Sequence, residues 1–161
     1  YNRDLVMVID PALDALAGGP WTSLELGKDP SMMEGICDLA IRSTPEPSLF
    51  ALFCVGNSVS RVSLGAGFGD VTNGFATTGV YPNRILLQDD TLLILNSGDN
   101  NLIGVSLSDG QALGQIAAFP VSSNPYDMAL SPDGLMAYTS GLMSNSLFSA
   151  ELDSGVVLEV K

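Results

Sequence analysis

The feature that most constrains this chain is a repeat. One plan of short apolar runs and turn residues recurs three times, with Asp38, Arg84 and Asp127 at equivalent positions 46 and 43 residues apart. Self-similarity at such a period marks a fold stacked from supersecondary units. The last unit, residues 124–160, is the clearest. Residues 126–130 run into Ser131-Pro132-Asp133-Gly134, whose types favour a tight turn. Residues 135–140 then return, 146–152 run out again and 155–160 close the unit. The middle unit follows the same plan through 83–87, the turn Gln88-Asp89-Asp90, 91–96, a polar loop at 97–101, 102–107 and 111–117. In the first unit, 36–41, 49–55 and 58–64 occupy the matching places, and a Gly-rich last segment spans 65–79.

Four antiparallel strands in each unit of this length predict an all-β fold, a β-propeller of four-stranded blades. Blades pack face to face, so both sides of a central strand are covered. Leu92-Leu93-Ile94-Leu95 fits that demand, being apolar on both sides instead of alternating. Helical spacing is nearly absent; residues 11–16 offer one helical turn at most. Residues 4–10 match the third strand of a unit and 21–26 the fourth. The expected division is therefore an outer half-blade at 1–30 and blades at 31–79, 80–121 and 122–161, about three and a half in all. Closing a ring takes at least about four blades. The chain is thus expected to be part of a longer propeller or to be completed by a partner protein.

Two stretches carry a family likeness. PYDMALSPDGLMAYTS, residues 125–140, resembles the strand-turn-strand of YVTN-type propeller repeats, and DLVMVID, residues 4–10, resembles their third strand. The middle unit has Gln88-Asp89-Asp90 in place of the Ser-Pro-Asp-Gly turn, and the first has Ser43-Thr44-Pro45-Glu46-Pro47. The resemblance implies a seven-bladed, usually extracytoplasmic propeller of the kind found in surface proteins and in lactonase-like and haem-bearing relatives. It implies no particular activity.

Composition narrows the partners. Eighteen acidic residues against six basic ones give a net charge of −12, with no cluster of Lys and Arg to neutralise phosphates. Nucleic acid and anionic membrane surfaces are therefore not expected as partners. No run approaches the roughly 18 apolar residues of a membrane-spanning helix, so no membrane insertion by this segment is expected. The sequence opens at Tyr1 without a leader pattern, so any targeting segment is expected to be removed or to lie upstream. The chain has no histidine, which removes His-based acid–base chemistry and His-ligated haem or zinc from this segment. No catalytic residue and no metal site is assigned.

Cys37 lies in the first strand of its unit and Cys54 in the second. If Ile41 faces Phe50 across the hairpin, Cys37 faces Cys54 directly, at a distance that suits a disulfide; the same register rule makes Tyr126 face Thr139. Two buried free thiols remain the alternative. A disulfide would favour the periplasm or the cell exterior.

Propeller geometry gathers the loops between second and third strands, and those between blades, on one end of the molecule. There Glu34, Asn57, Tyr81 and Asn83 are candidate ligand or partner contacts, joined by Asp99, Asn100, Asn124 and Asn145. Asp38, Arg84 and Asp127 begin the innermost strands and could line the channel, or could form a satisfied polar network between blades. Leu142 and Met143 add an apolar spot that suits a protein contact or local packing. Asp99, Asn100 and Asn101 offer oxygen ligands for calcium, yet at no EF-hand spacing, and such residues are ordinary turn formers. No cofactor is therefore expected. Gly65-Ala66-Gly67-Phe68-Gly69 looks like a phosphate loop, but no helix pattern follows, so edge-strand glycine is the better reading. The leading functional expectation is a non-catalytic binding or scaffold module of an extracytoplasmic protein. A lactonase-like hydrolase with a metal on Asp, Glu and Asn is the alternative. Weaker still is an oxidoreductase domain bearing haem or quinone.

Overall fold

The computed structural model describes residues 35–65 and 69–160, together with the backbone of two short strands nearer the N-terminus. Those two, β1 (Met7–Ile9) and β2 (Thr22–Leu24), pair antiparallel. The first full sheet holds β3 (Ile36–Arg42), β4 (Ser48–Phe53), β5 (Ser58–Ser63) and β6 (Val71–Thr77). The second holds β7 (Pro82–Gln88), β8 (Thr91–Asn96), β9 (Asn101–Ser106) and β10 (Ala112–Ala118). The third holds β11 (Pro125–Leu130), β12 (Met136–Gly141), β13 (Ser146–Glu151) and β14 (Val157–Val160). Each sheet is an antiparallel meander in chain order. First strands lie beside one another, β3 with β7 and β7 with β11, so the three sheets fan from a common inner edge. This is a partial β-propeller, as the repeat predicts. The helical turn considered at 11–16 lies outside the described residues.

Alternating side chains explain the stacking. In β8, Leu92 and Ile94 point into one cluster with Phe50, Leu52, Val59 and Ala76 of the first sheet. Leu93 and Leu95 point the other way, into a cluster with Met128, Ala137, Phe148 and Ala150 of the third. A strand buried on both faces must be apolar at every position. At about 1.5–3 kcal/mol for each large side chain taken from water, these two clusters dominate the packing.

The strands fall where the repeat places them, but the register differs. Ile41 faces Leu49, not Phe50, because five residues separate Arg42 from Ser48, which pair with each other. Met128, not Tyr126, faces Thr139. Here Asp133 accepts hydrogen bonds from the Ser131 hydroxyl and from the Leu135 N–H, drawing Leu135 into the turn, so the strand returns at Met136. The same hydroxyl, with the Leu135 N–H, holds the Asp133 carboxyl below the ordinary carboxylate range. Cys37 and Cys54 form a disulfide with Cα atoms 5.9 Å apart, though not as a facing pair. Between Ile36, which faces Phe53, and Asp38, which faces Leu52, Cys37 is an extra residue, a β-bulge. Cys54 is the first residue of the following turn, and its N–H is bonded to the Gly35 carbonyl. The second and third sheets are bulged at the matching place, between Pro82 and Arg84 and between Pro125 and Met128.

The glycine-rich stretch is also corrected. Gly65 and Gly69 precede β6, which begins only at Val71, so these glycines belong to the connection and not to the edge strand. Two other glycines do matter to stacking. Gly110 and Gly155 sit in equivalent outer turns with φ of 74° and 70°. A Cβ there would collide with the carbonyl of Phe75 and of Ile116 respectively, each on the last strand of the preceding sheet.

Candidate functional site at the hairpin end

The second and third strands of each blade are joined by four-residue turns at 54–57, 97–100 and 142–145. Each turn ends in an asparagine in the left-handed region, Asn57 at φ 47°, Asn100 at 52° and Asn145 at 53°. Asparagine tolerates that conformation better than most residues, and it frees the side chain to reach outward. Asn57 Oδ1 accepts the N–H of Tyr81 at 3.0 Å, the residue just before the strand that opens the next blade. Asn100 repeats the contact one blade later, accepting the Asn124 N–H at 3.0 Å and the Ser123 hydroxyl at 3.1 Å. Asp99 Oδ2 accepts the Val80 N–H at 2.8 Å, and Asn101 Oδ1 accepts from Asn96 Nδ2 at 2.8 Å. Asp99 Oδ2, Asn100 Oδ1 and Asn101 Oδ1, which a calcium reading would recruit, thus each accept a hydrogen bond.

These asparagines fasten blade to blade. Replacing Asn100 by Ala removes two accepted hydrogen bonds and leaves alanine in a left-handed turn, an expected loss of about 2 kcal/mol. Asn100→Gly, which keeps the backbone relaxed, should lose about half of that. Urea unfolding of the three proteins checks the order.

Asp38, Arg84 and Asp127 come together at the inner edge. Arg84 Nη1 lies 3.2 Å from Asp38 Oδ1, and Arg84 Nε lies 3.1 Å from Asp127 Oδ1. The Nε–H does not point along that second line, so the contact is an ion pair without a hydrogen bond. Asp38 Oδ2 also accepts the Ile85 N–H at 2.9 Å. One arginine therefore ties three sheets. With Arg84 and Asp127 both substantially exposed, solvent screening keeps the pairing at about 1 kcal/mol or less.

Asn83 and Asn124 are half-buried beside these contacts, Asn145 is exposed, and Glu34 lies outside the described residues. Beside the exposed polar Asp99 and Asn145, the hairpin end leaves apolar side chains open: Val55, Val80, Tyr81, Leu142 and Met143 are all exposed, Met143 at 72%. The sequence reading singled out Leu142 and Met143 but missed Val55 and Val80. The signal for Val55 was the equivalence of 54–57 with 142–145, which places it where Met143 stands. Among the described residues no three of Cys, Asp and Glu gather closely enough to hold a metal ion, and no helix is long and apolar enough to cross a membrane.

No protein-family model and no curated protein sequence matches the chain. Solved structures match its fold. A streptogramin B lyase structure superposes with a TM-score of 0.68 at 16% identity, covering 89% of this chain and 45% of that one. Virginiamycin B lyase from Staphylococcus aureus gives 0.67 at 18% identity over the same shares. A protein from Bacteroides uniformis described as a 6-phosphogluconolactonase gives 0.59 at 16% identity, covering 87% of this chain and 46% of that one. The chain thus spans less than half the length of these propellers. Identities this low show the fold alone.

Proposed function

We propose that the chain is the binding or scaffold part of a propeller, making its contact with a protein through the hairpin end. The observation that carries this reading is the division of labour there. The polar side chains Asn57 and Asn100 hold neighbouring blades together and Asp99 ties the entry of its own blade, while Val55, Val80, Tyr81, Leu142 and Met143 stay exposed. A rigid end with flexible Met and aromatic Tyr projecting from it suits contact with a protein surface. The Cys37–Cys54 disulfide is consistent with an oxidising compartment, and we place the protein in the periplasm or outside the cell. Likeness to lyase and lactonase structures supports the architecture and leaves those activities with those proteins.

Leu142→Asp together with Met143→Asp tests the reading. Both residues are exposed, so folding stability should stay within about 0.5 kcal/mol. Proteins that co-purify with the native chain should be lost by at least tenfold. Retention of the same partners at the same yield would refute it.

A further inference from the structure

The second and third sheets show what the Cys37–Cys54 bond is not needed for. At the equivalent positions stand Asn83 with Ser97, and Tyr126 with Leu142, so neither sheet can form the bridge. The bulge is nonetheless present in the first strand of all three. One backbone hydrogen bond closes the corner in each. The Cys54 N–H donates to the Gly35 carbonyl at 3.1 Å, Ser97 to Tyr81 at 3.0 Å and Leu142 to Asn124 at 3.0 Å. The three acceptors share the left-handed region, with φ of 62°, 49° and 49°. Backbone pairing alone therefore builds this corner, and the disulfide is added to a geometry that forms without it.

The corner also suits the reduced pair. Cys37 is exposed and Cys54 is half-buried, and exposed disulfides are the ones open to exchange. Cys37 Sγ lies 3.4 Å from the Pro82 carbonyl oxygen of the next blade and 3.5 Å from that of Leu52. Bonded to Cys54, this sulfur has no proton to give. As a thiol it would donate to one of the two carbonyls, so breaking the bond leaves Cys37 with a partner.

We infer that Cys37–Cys54 is a thiol–disulfide exchange site for a dithiol protein, and that its state sets how firmly the first blade is fastened to the second. A thiolate of the partner attacks the exposed Cys37 Sγ, the bond to Cys54 breaks, and Cys54 leaves as a thiolate. The partner's second thiolate then attacks the partner's own sulfur in the mixed disulfide and releases Cys37. Two electrons pass to this chain, two protons follow through water to the cysteines, and the partner becomes a disulfide. Clasps between the two blades start beside this bond. Asp38, next to Cys37, receives Arg84 Nη1 and the Ile85 N–H, and Asn57, three residues after Cys54, accepts the Tyr81 N–H. Reduction would slacken both. The matching clasp of Asn100 on the Asn124 N–H has no cysteine beside it and would not respond. This exchange is independent of the protein contact proposed for the hairpin end.

The test mixes the native protein, without denaturant, with a Cys-x-x-Cys dithiol protein whose second cysteine is changed to Ser, so that a mixed disulfide cannot resolve. Peptide mapping should place the adduct on Cys37 over Cys54 by about tenfold or more. With the intact dithiol protein, NMR should show hydrogen exchange at the Tyr81 and Ile85 amides rising about fivefold, the loss of one ordinary hydrogen bond each, with Asn124 unchanged. The double variant Cys37→Ser, Cys54→Ser should form no adduct and show the raised rates with or without dithiol. An adduct that forms only after urea has unfolded the chain, or one on Cys54, would overturn the exchange site. Equal rises at Tyr81, Ile85 and Asn124, or none at all, would overturn its hold on the blade contact.

Discussion

Phe148→Ala is expected to cost the fold about 3–5 kcal/mol, more than any other single truncation considered for this chain. The ring is fully buried on β13 and lies 5.7 Å from the Phe119 ring in a tilted pair. It shares one cluster with Leu93, Leu95 and Leu102 of the second sheet, so its removal opens a cavity between two blades and not at an edge. Packed β-sheets cannot slide together to fill such a space without breaking register. The neighbouring substitution Leu147→Ala gives the control. Leu147 points to the opposite face and is 48% exposed, so the same chain should lose about 1 kcal/mol or less. Urea unfolding measures both. A small loss for Phe148 with a large one for Leu147 would mean that the faces of β13 are reversed. A cycle with Phe119→Ala should show about 0.5–1.5 kcal/mol of coupling from the ring pair.

The contrast between adjacent residues also shows what the sequence could and could not reveal. Leu92 to Leu95 announced a strand covered on both sides, because nothing but two-sided burial tolerates four large aliphatic residues in a row. The spacing of Asp38, Arg84 and Asp127 located one position in each blade, and the structure joins them through the guanidinium. Register was harder to read, since it depends on how many residues a turn consumes. Leu135 looks like a strand residue until Asp133 accepts its N–H. The bulge at Cys37 leaves no mark in composition at all; only the pairing of β3 with β4 reveals it. The asparagines were picked as candidate contacts because turn amides at a loop end look available. Their partners, the N–H groups of Tyr81 and Asn124, lie 24 residues onward, beyond any local pattern. Local rules therefore identified the positions, and long-range pairing decided their use.

Loss of the Cys37–Cys54 bond is the second large effect expected. The two residues are 17 apart in sequence, and tying a loop of about that length removes roughly 3 kcal/mol of conformational freedom from the unfolded chain. The native side of the balance adds to this. The bond pins the bulged residue of β3 to the turn after β4, beside the Cys54 N–H to Gly35 carbonyl hydrogen bond that ends the strand pair. Asp38 follows the bulge directly, and its carboxylate receives both Arg84 and the Ile85 N–H. Replacing both cysteines by Ser should therefore lower stability by about 2–4 kcal/mol, with the first sheet and its contact to β7 loosening before the third. A single substitution would leave a free thiol and confuse the result. The decisive comparison is unfolding with and without reductant. The parent chain should fall in reductant to the midpoint of the double variant, and the double variant should not move. If neither reductant nor substitution shifts the midpoint, the bond does not constrain the chain. The first blade would then be held by its packing against the second, through Phe50, Leu52 and Val59, and the oxidising compartment proposed here would lose its physical support.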